Sequence, residues 1–339
     1  MASKQPALRS VLVPALILAL LFSPACRRSG SDDGAGGKRP RIAVIPMGTT
    51  HEFWKAVHAG AEAAGRELGA EIVWKGPLKE DDRNEQMQVY ETLAESGVDG
   101  LVLSPIDDRA MLRPVAEARR AGIPTVIFNT ALDGGEHIAF VSTDNERGGA
   151  LAARAVGKLA GGRGRLILVR VIEGVEGTRK REEGFLTTLR AEFPEIEVVS
   201  ENQYAGPSTE KAYQTMENLL ARFGPVDAVF TPNESTTFGC LRALQDHGLA
   251  GKIVHIGFDS SAKLVEALEK GELQGLVLQD PVAMGYQSVK TVLAHLRGEP
   301  YEKAVATAVV LADRANMNDP AIRRLIRPDL SIFGDRRHP

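Results

Sequence analysis

Cysteine is nearly absent from this chain. Cys26 and Cys240 are the only two in 339 residues, so no disulfide framework is expected. The seven histidines and two cysteines show no metal-ligand spacing, and no metal site or cofactor is expected. No excess of one charge is present either. A net charge of -3 gives no basic field for nucleic acid. The longest apolar run, Val11 to Phe22, is too short to span a bilayer as a helix. No G-x-S-x-G elbow occurs. Gly161-Gly162-Arg163-Gly164 precedes a strand and lacks the Lys-Ser/Thr of a phosphate loop, so it reads as a turn.

What is present is ordinary globular composition, 43% apolar and 25% charged. The length favours two domains. Residues 1–26 read as a processing segment, with Lys4 and Arg9 before the apolar run and Ser23-Pro24-Ala25-Cys26 after it. That tetrapeptide is similar to a bacterial lipobox, which would make Cys26 a lipidated first residue and anchor the protein to a membrane. Ser23-x-Ala25 also fits plain secretion. Either route leads to the periplasm or cell envelope. Residues 27–40, rich in Gly, Ser, Asp and basic side chains, read as a flexible tether. Cys240 reads as a small buried hydrophobe. The run Lys79-Glu80-Asp81-Asp82-Arg83 reads as a solvated helix start with Asp81 or Asp82 as N-cap.

From Arg41 onward, short apolar strands alternate with helical patterns. This is the signature of βαβ units and parallel sheets covered by helices. An internal echo repeats: Gly97–Pro105 resembles Pro225–Asn233, and Ile123–Asn129 resembles Ile253–Asp259. Two similar α/β halves facing each other would bring both sets of strand ends to one cleft. Asn233, Asp259 and Gln279 each end a strand-like run, and ligands of open α/β sheets sit outside the carboxyl ends of strands. Two amides and a carboxylate there suit a ligand rich in hydroxyls, a sugar or polyol.

The motifs His51-Glu52-Phe53-Trp54, Ser104-Pro105-Ile106-Asp107, Ser142-Thr143-Asp144-Asn145, Lys180–Phe185, Pro232-Asn233-Glu234, Gly257-Phe258-Asp259 and Leu278-Gln279 lie in fixed order over nearly the whole chain after the tether. In them the chain resembles the type I periplasmic solute-binding proteins that feed sugars to ABC transporters, close to the ribose-binding branch. The resemblance implies an α/β protein of two Rossmann-like lobes, with parallel sheets flanked by helices, joined by a three-strand hinge. The expected lobes are residues 41–143 plus 280–308 and residues 144–279 plus 309–339. It also implies ligand contacts at His51, Phe53, Trp54, Ser104, Asn129, Thr130, Arg181, Asn233, Asp259 and Gln279. Arg181, Asn233, Asp259 and Gln279 keep the residue types of ribose binders. Asn129-Thr130 replaces an Asp-Arg pair, Ser104 an Asn, and His51 an Asn, so ribose is not the expected ligand. The implied function is a monomeric, non-enzymatic binding component of an ABC importer, partnered by its permease. A ligand sensor for a membrane receptor or kinase is the alternative. A hydrolase would need an activated nucleophile in the cleft. A repressor of this fold would carry a helix-turn-helix where this chain has its apolar leader.

Overall fold

The structure, a computed structural model, describes residues 38–333. The expected leader, Cys26 and residues 27–37 of the expected tether lie outside the described residues, as do residues 334–339.

The chain runs β1 (Arg41–Ile45), α1 (Glu52–Leu68), β2 (Glu71–Trp74), α2 (Arg83–Glu95), β3 (Gly100–Leu103), α3 (Leu112–Arg120), β4 (Thr125–Phe128) and β5 (Ala139–Thr143). It continues α4 (Asn145–Leu159), β6 (Arg163–Arg170), α5 (Glu176–Glu192), β7 (Glu195–Tyr204), α6 (Thr209–Phe223), β8 (Ala228–Phe230), α7 (Glu234–Asp246), β9 (Val254–Phe258), α8 (Ala262–Lys270) and β10 (Gly275–Gln279). After α9 (Pro281–Leu296) come β11 (Ala304–Thr307), β12 (Val309–Ala312), α10 (Pro320–Ile326) and a 3-10 turn, Ser331–Phe333.

Two six-stranded sheets result, ordered β2-β1-β3-β4-β5-β11 and β7-β6-β8-β9-β10-β12. The orders correspond strand for strand, so the echo seen in the sequence is an echo of topology. In each sheet the order reverses beside the first strand, between β1 and β3 and between β6 and β8. That switch point is where ligands dock on doubly wound sheets. Strands β3, β4 and β10 are buried along their whole length, which is why they read as unbroken apolar runs.

The chain passes between the sheets at Thr143–Asn145, Gln279–Pro281 and Thr307–Val309. Local chemistry stops and restarts it there. The Asp144 side chain accepts from Arg147 N and caps α4, and Asp280 accepts from Ala283 N ahead of Pro281 in the first turn of α9. Helix packing is close. A Cβ on Gly60 of α1 would lie 1.9 Å from the Val282 carbonyl oxygen, and one on Gly149 of α4 would lie 2.0 Å from that of Arg181. Glycine at 149 therefore lets α4 press on the turn of α5 that carries Arg181.

Three elements differ from the sequence expectation. β11, β12 and α10 were not among the expected elements; β11 and β12 have only Ala308 between them and so fall outside the strand–helix alternation, and α10 spans seven residues. β12 also pairs antiparallel with β10, so the second sheet is not wholly parallel. Arg66 Nη2 of α1 donates to the Ile332 carbonyl at 2.7 Å, and the Phe333 ring lies 4.7 Å from that of His58.

Candidate binding cleft

Among the described residues, two side-chain-bearing positions have positive φ: Asn129 at 63° and Asp259 at 68°. They occupy matching places, just past β4 and just past β9. Left-handed backbone is tolerated best by Asn and Asp, and outliers of this kind gather at functional sites. Each is locked. Ser142 Oγ donates to the Asn129 carbonyl at 2.8 Å, and the backbone N–H groups of 129 and 259 donate to Val141 and Val277. The two residues face each other across a cavity of about 40 Å³ between the sheets.

The second-sheet wall is an interlocked set. Arg181 is 4% exposed; its Nε donates to Asn145 Oδ1 at 2.8 Å and its Nη1 to the Pro232 carbonyl at 2.9 Å. Its guanidinium lies 4.1 Å from the Phe258 ring centre and 3.8 Å from Asp259 Oδ2. Gln279 Nε2 donates to Asp259 Oδ1 at 2.7 Å, and Glu234 N donates to Oδ2 at 3.3 Å. Burial pushes the Asp259 carboxyl up from its ordinary range, and Arg181, Gln279 and the Glu234 amide draw it back. Gln279 Oε1 is buried with no partner among the described residues. Asn233 caps α7: its Oδ1 accepts from Thr236 N at 3.0 Å and Thr236 Oγ1 at 2.6 Å. Asn233 thus caps a helix and lines the cavity at once.

The first-sheet wall is built differently. Phe53 and Trp54 meet edge to face at 4.9 Å, and Trp54 packs against Phe128 as well as lining the cavity. His51 precedes α1 without capping it through its side chain. Its Nδ1 lies 2.9 Å from Glu80 Oε1, which also accepts from Trp54 Nε1. Burial opposes charge on His51, but Glu80, with Glu234 and Asp259 beyond it, outweighs burial and raises its pKa from 6.5 to about 9. The same pairing holds Glu80 below its ordinary value despite burial. The cap that His51 does not give comes from the other sheet. Glu234 accepts from Glu52 N at 3.3 Å and Phe53 N at 3.2 Å, while Glu52 Oε2 accepts from Ala262 N of α8 at 3.1 Å. Burial raises Glu234 to about 7, partly offset by His51 and these amides.

Eight of the ten expected contacts line the cavity: His51, Phe53, Trp54, Asn129, Arg181, Asn233, Asp259 and Gln279. Ser104 and Thr130 do not. Ser104 Oγ accepts from Asn129 Nδ2 at 3.2 Å, and Thr130 Oγ1 accepts from Gly177 N at 3.0 Å across the sheets. Both side chains are turned to protein partners and stand behind the wall. Glu80 and Glu234 were missed as site residues. Glu80 lies in a charged run that looks solvated, yet its side chain is 11% exposed. The only signal for Glu234 was its place beside Asn233. A larger space of about 340 Å³ shares Phe53, Asp259 and Gln279 but is otherwise lined largely by apolar residues such as Val265, Leu278 and Ile326. It lacks Arg181 and Asn233, and its polar lining besides Asp259 and Gln279 is Glu52, Ser260, Glu266, Glu269 and Arg327. Among the described residues no group of three or more His, Cys, Asp or Glu could hold a metal ion.

A family model described as periplasmic binding protein domain matches residues 42–300. The ribose import binding protein of Escherichia coli is 29% identical over 262 residues, spanning 76% of this chain and 85% of that protein. A xylitol-binding protein of Mycolicibacterium smegmatis is 26% identical over 76% of this chain and 71% of its own length. A carbohydrate transporter solute-binding protein of Agrobacterium radiobacter, solved with D-arabinose, superposes with a TM-score of 0.81 at 32% identity, covering 85% of this chain and 99% of its own. A solute-binding protein of Agrobacterium vitis with D-fucose gives 0.81 at 31%, covering 84% and 99%.

Proposed function

The chain belongs to the periplasmic binding protein family, whose members here are sugar-binding components of ABC importers rather than enzymes, and from that premise we propose that it captures a neutral sugar or polyol between its two sheets. Family membership implies a periplasmic or extracytoplasmic location. The lobes of this proposal are residues 41–143 plus 280–308 and residues 144–279 plus the segment from 309. They hinge on the three connections. Three connections bend readily and resist twisting, which suits opening and closing. A cavity of about 40 Å³ has room for a few waters and no sugar ring, so the ring enters as the lobes part.

The observation that carries the reading is Gln279 Oε1. A buried acceptor without a donor is costly, and it sits beside a carboxylate that already holds the Gln279 amide. Ligand hydroxyls donate to that oxygen and to Asp259, while Arg181 and His51 donate to ligand oxygens. Phe53 and Trp54 cover its apolar face. Asn129 offers one acceptor oxygen where a carboxylate would accept from two vicinal hydroxyls, so ribose binds poorly and a sugar of different stereochemistry binds better. Delivery is to an ABC permease, from a monomer tethered through a lipid on Cys26.

A thermal-shift panel tests this with D-ribose, D-arabinose, D-fucose, D-tagatose, D-allose and xylitol. A ligand held only by the folded state raises the melting temperature. At least one is expected to do so and D-ribose is expected not to. No shift with any member, confirmed by calorimetry, overturns the sugar assignment. A micromolar D-ribose complex overturns the argument from Asn129.

A further inference from the structure

Glu80 accepts from two cleft side chains at once. It lies in the loop between β2 and α2, buried, with Oε1 shared by His51 Nδ1 and Trp54 Nε1. A carboxylate is acceptor-only, so both partners must donate. For His51 this selects the tautomers with hydrogen on Nδ1. It also leaves Nε2 as the ring atom free to meet a ligand, since Nε2 has no partner among the described residues and His51 lines the cavity. The charged groups around the ring are Glu80 from its own lobe and Glu234 of α7 and Asp259 beyond β9 from the other; Arg181 of α5 stands nearer Asp259 and also acts on Glu80.

We infer that Glu80 is a positioning residue that holds His51 as an imidazolium, aiming its Nε2–H at a ligand oxygen and restoring to this wall the cationic donor that Thr130 does not supply. The inference rests on the cleft being the ligand site proposed above. An imidazolium has two donors and no acceptor. One donor is spent on Glu80, so the ligand must present a lone pair at that point: a ring oxygen or a hydroxyl that donates elsewhere. A ligand with a hydrogen in place of that oxygen leaves the charged donor unpaired and is rejected. Trp54, pinned by the same oxygen, fixes how deep the ring can sit. Ligand choice on this wall is therefore set through His51, by a carboxylate oxygen already spent on two protein donors.

The test compares the parent protein, Glu80→Gln, His51→Asn and the double variant. Glutamine keeps an acceptor for Trp54 and the shape of the loop. NMR titration of His51 in the ligand-free protein is expected at about 9 in the parent and near the ordinary 6.5 in Glu80→Gln, where Glu234 and Asp259 still oppose burial. Calorimetry uses D-arabinose and D-fucose at pH 5.5 and 8.5. Glu80→Gln is expected to bind about tenfold more weakly than the parent at pH 8.5, and within about threefold at pH 5.5, where His51 is protonated without help. His51→Asn loses affinity at both values, and the double variant is no weaker than His51→Asn. An unmoved His51 titration in Glu80→Gln, or an equal loss at both pH values, overturns the inference. If neither sugar binds the parent, the sugar reading fails, and the His51 titration alone still decides whether Glu80 sets the charge.

Discussion

The two walls of the cleft use the same architecture to different ends. On the second sheet, Arg181, Asp259 and Gln279 bond to one another, with Asn233 capping α7 beside them, and are fixed before any ligand arrives. On the first sheet, Asn129 matches Asp259 in backbone and position but not in charge, and the charged groups come instead from loops, His51 and Glu80. A duplicated scaffold thus preserves where side chains stand more faithfully than what they are. Under the proposed function, the wall of paired charges would grip hydroxyls generally, and the loop-built wall would be where selectivity changes.

The sharpest way to break this comparison is Asp259→Asn. Asparagine tolerates the left-handed backbone that alanine would strain, so the change isolates charge. It removes charge-assisted bonds worth roughly 1.5–3 kcal/mol each and leaves Arg181 buried without its counter-ion. A loss of at least about 100-fold in sugar affinity is expected by calorimetry. Asn129→Asp, the mirror change, is expected to alter the order of sugars while keeping affinity within about tenfold. Equal losses from both variants would mean the walls are not specialised.

Acid–base behaviour separates the walls next. His51 holds its proton to about 9 folded against 6.5 unfolded, so its stabilisation is complete below 6.5 and lost as pH rises through 9. Glu234 and Glu182 are raised by burial to about 7, so their cost of ionisation is absent below about 4.5 and complete above 7. Both effects have the same sign. Glu80 and Asp107 are shifted down, and their contributions are lost only at acid pH, below this window. The melting temperature is expected to fall by a few degrees from pH 6 to 9.5, consistent with about 2–3 kcal/mol from His51. His51→Asn should flatten the upper part of that fall and Glu234→Gln the lower. A melting temperature constant over this range would refute the His51–Glu80 pairing as the source.

How much of this the sequence carried differs between the same two walls. Strand-end position singled out Asn233, Asp259 and Gln279 as candidates, although a polar residue there also serves turns and caps, as Asn233 does for α7. Strands β1 to β10 and helices α1 to α9 followed from the alternation of apolar runs and helical patterns, and Asp82 caps α2 as one of the two expected residues. Glu80 did not follow. A carboxylate inside Lys79–Arg83 looks solvated until the fold brings His51, 29 residues away, to its side. Ser104 and Thr130 were placed by register alone, which fixes position along the chain but not the rotamer. Residues 304–308 read only as a crossing, because β11 and β12 follow one another with just Ala308 between them, outside the strand–helix alternation.

Thr130 gives a smaller effect of a distinct kind. Thr130→Val removes the acceptor for Gly177 N, a buried cross-sheet bond. An unsatisfied buried amide costs about 1–3 kcal/mol. The melting temperature is expected to drop by a few degrees while the ranking of sugars stays the same. A changed ranking would place Thr130 on the ligand after all.

The smallest effect is expected at Ser104, and it bears most directly on whether the first wall is built in layers. Ser104 is fully buried, and its hydroxyl oxygen accepts from Asn129 Nδ2, which also points at Met47 Sδ at 3.6 Å. If Ser104 acts only through Asn129, Ser104→Ala loosens one neutral hydrogen bond, worth about 1 kcal/mol, and Asn129 stays fixed by its left-handed backbone and by Ser142. The Asn129 amide then has to find its acceptor in the ligand. Calorimetry should show a change of less than about threefold for sugars with an oxygen near Asn129 and slightly more for those without one. The double variant Ser104→Ala, Asn129→Ala should match Asn129→Ala alone, because a residue acting through another adds nothing once that other is gone. A tenfold loss for Ser104→Ala, or full additivity in the double variant, would show that Ser104 reaches the ligand directly and that the wall is one layer rather than two.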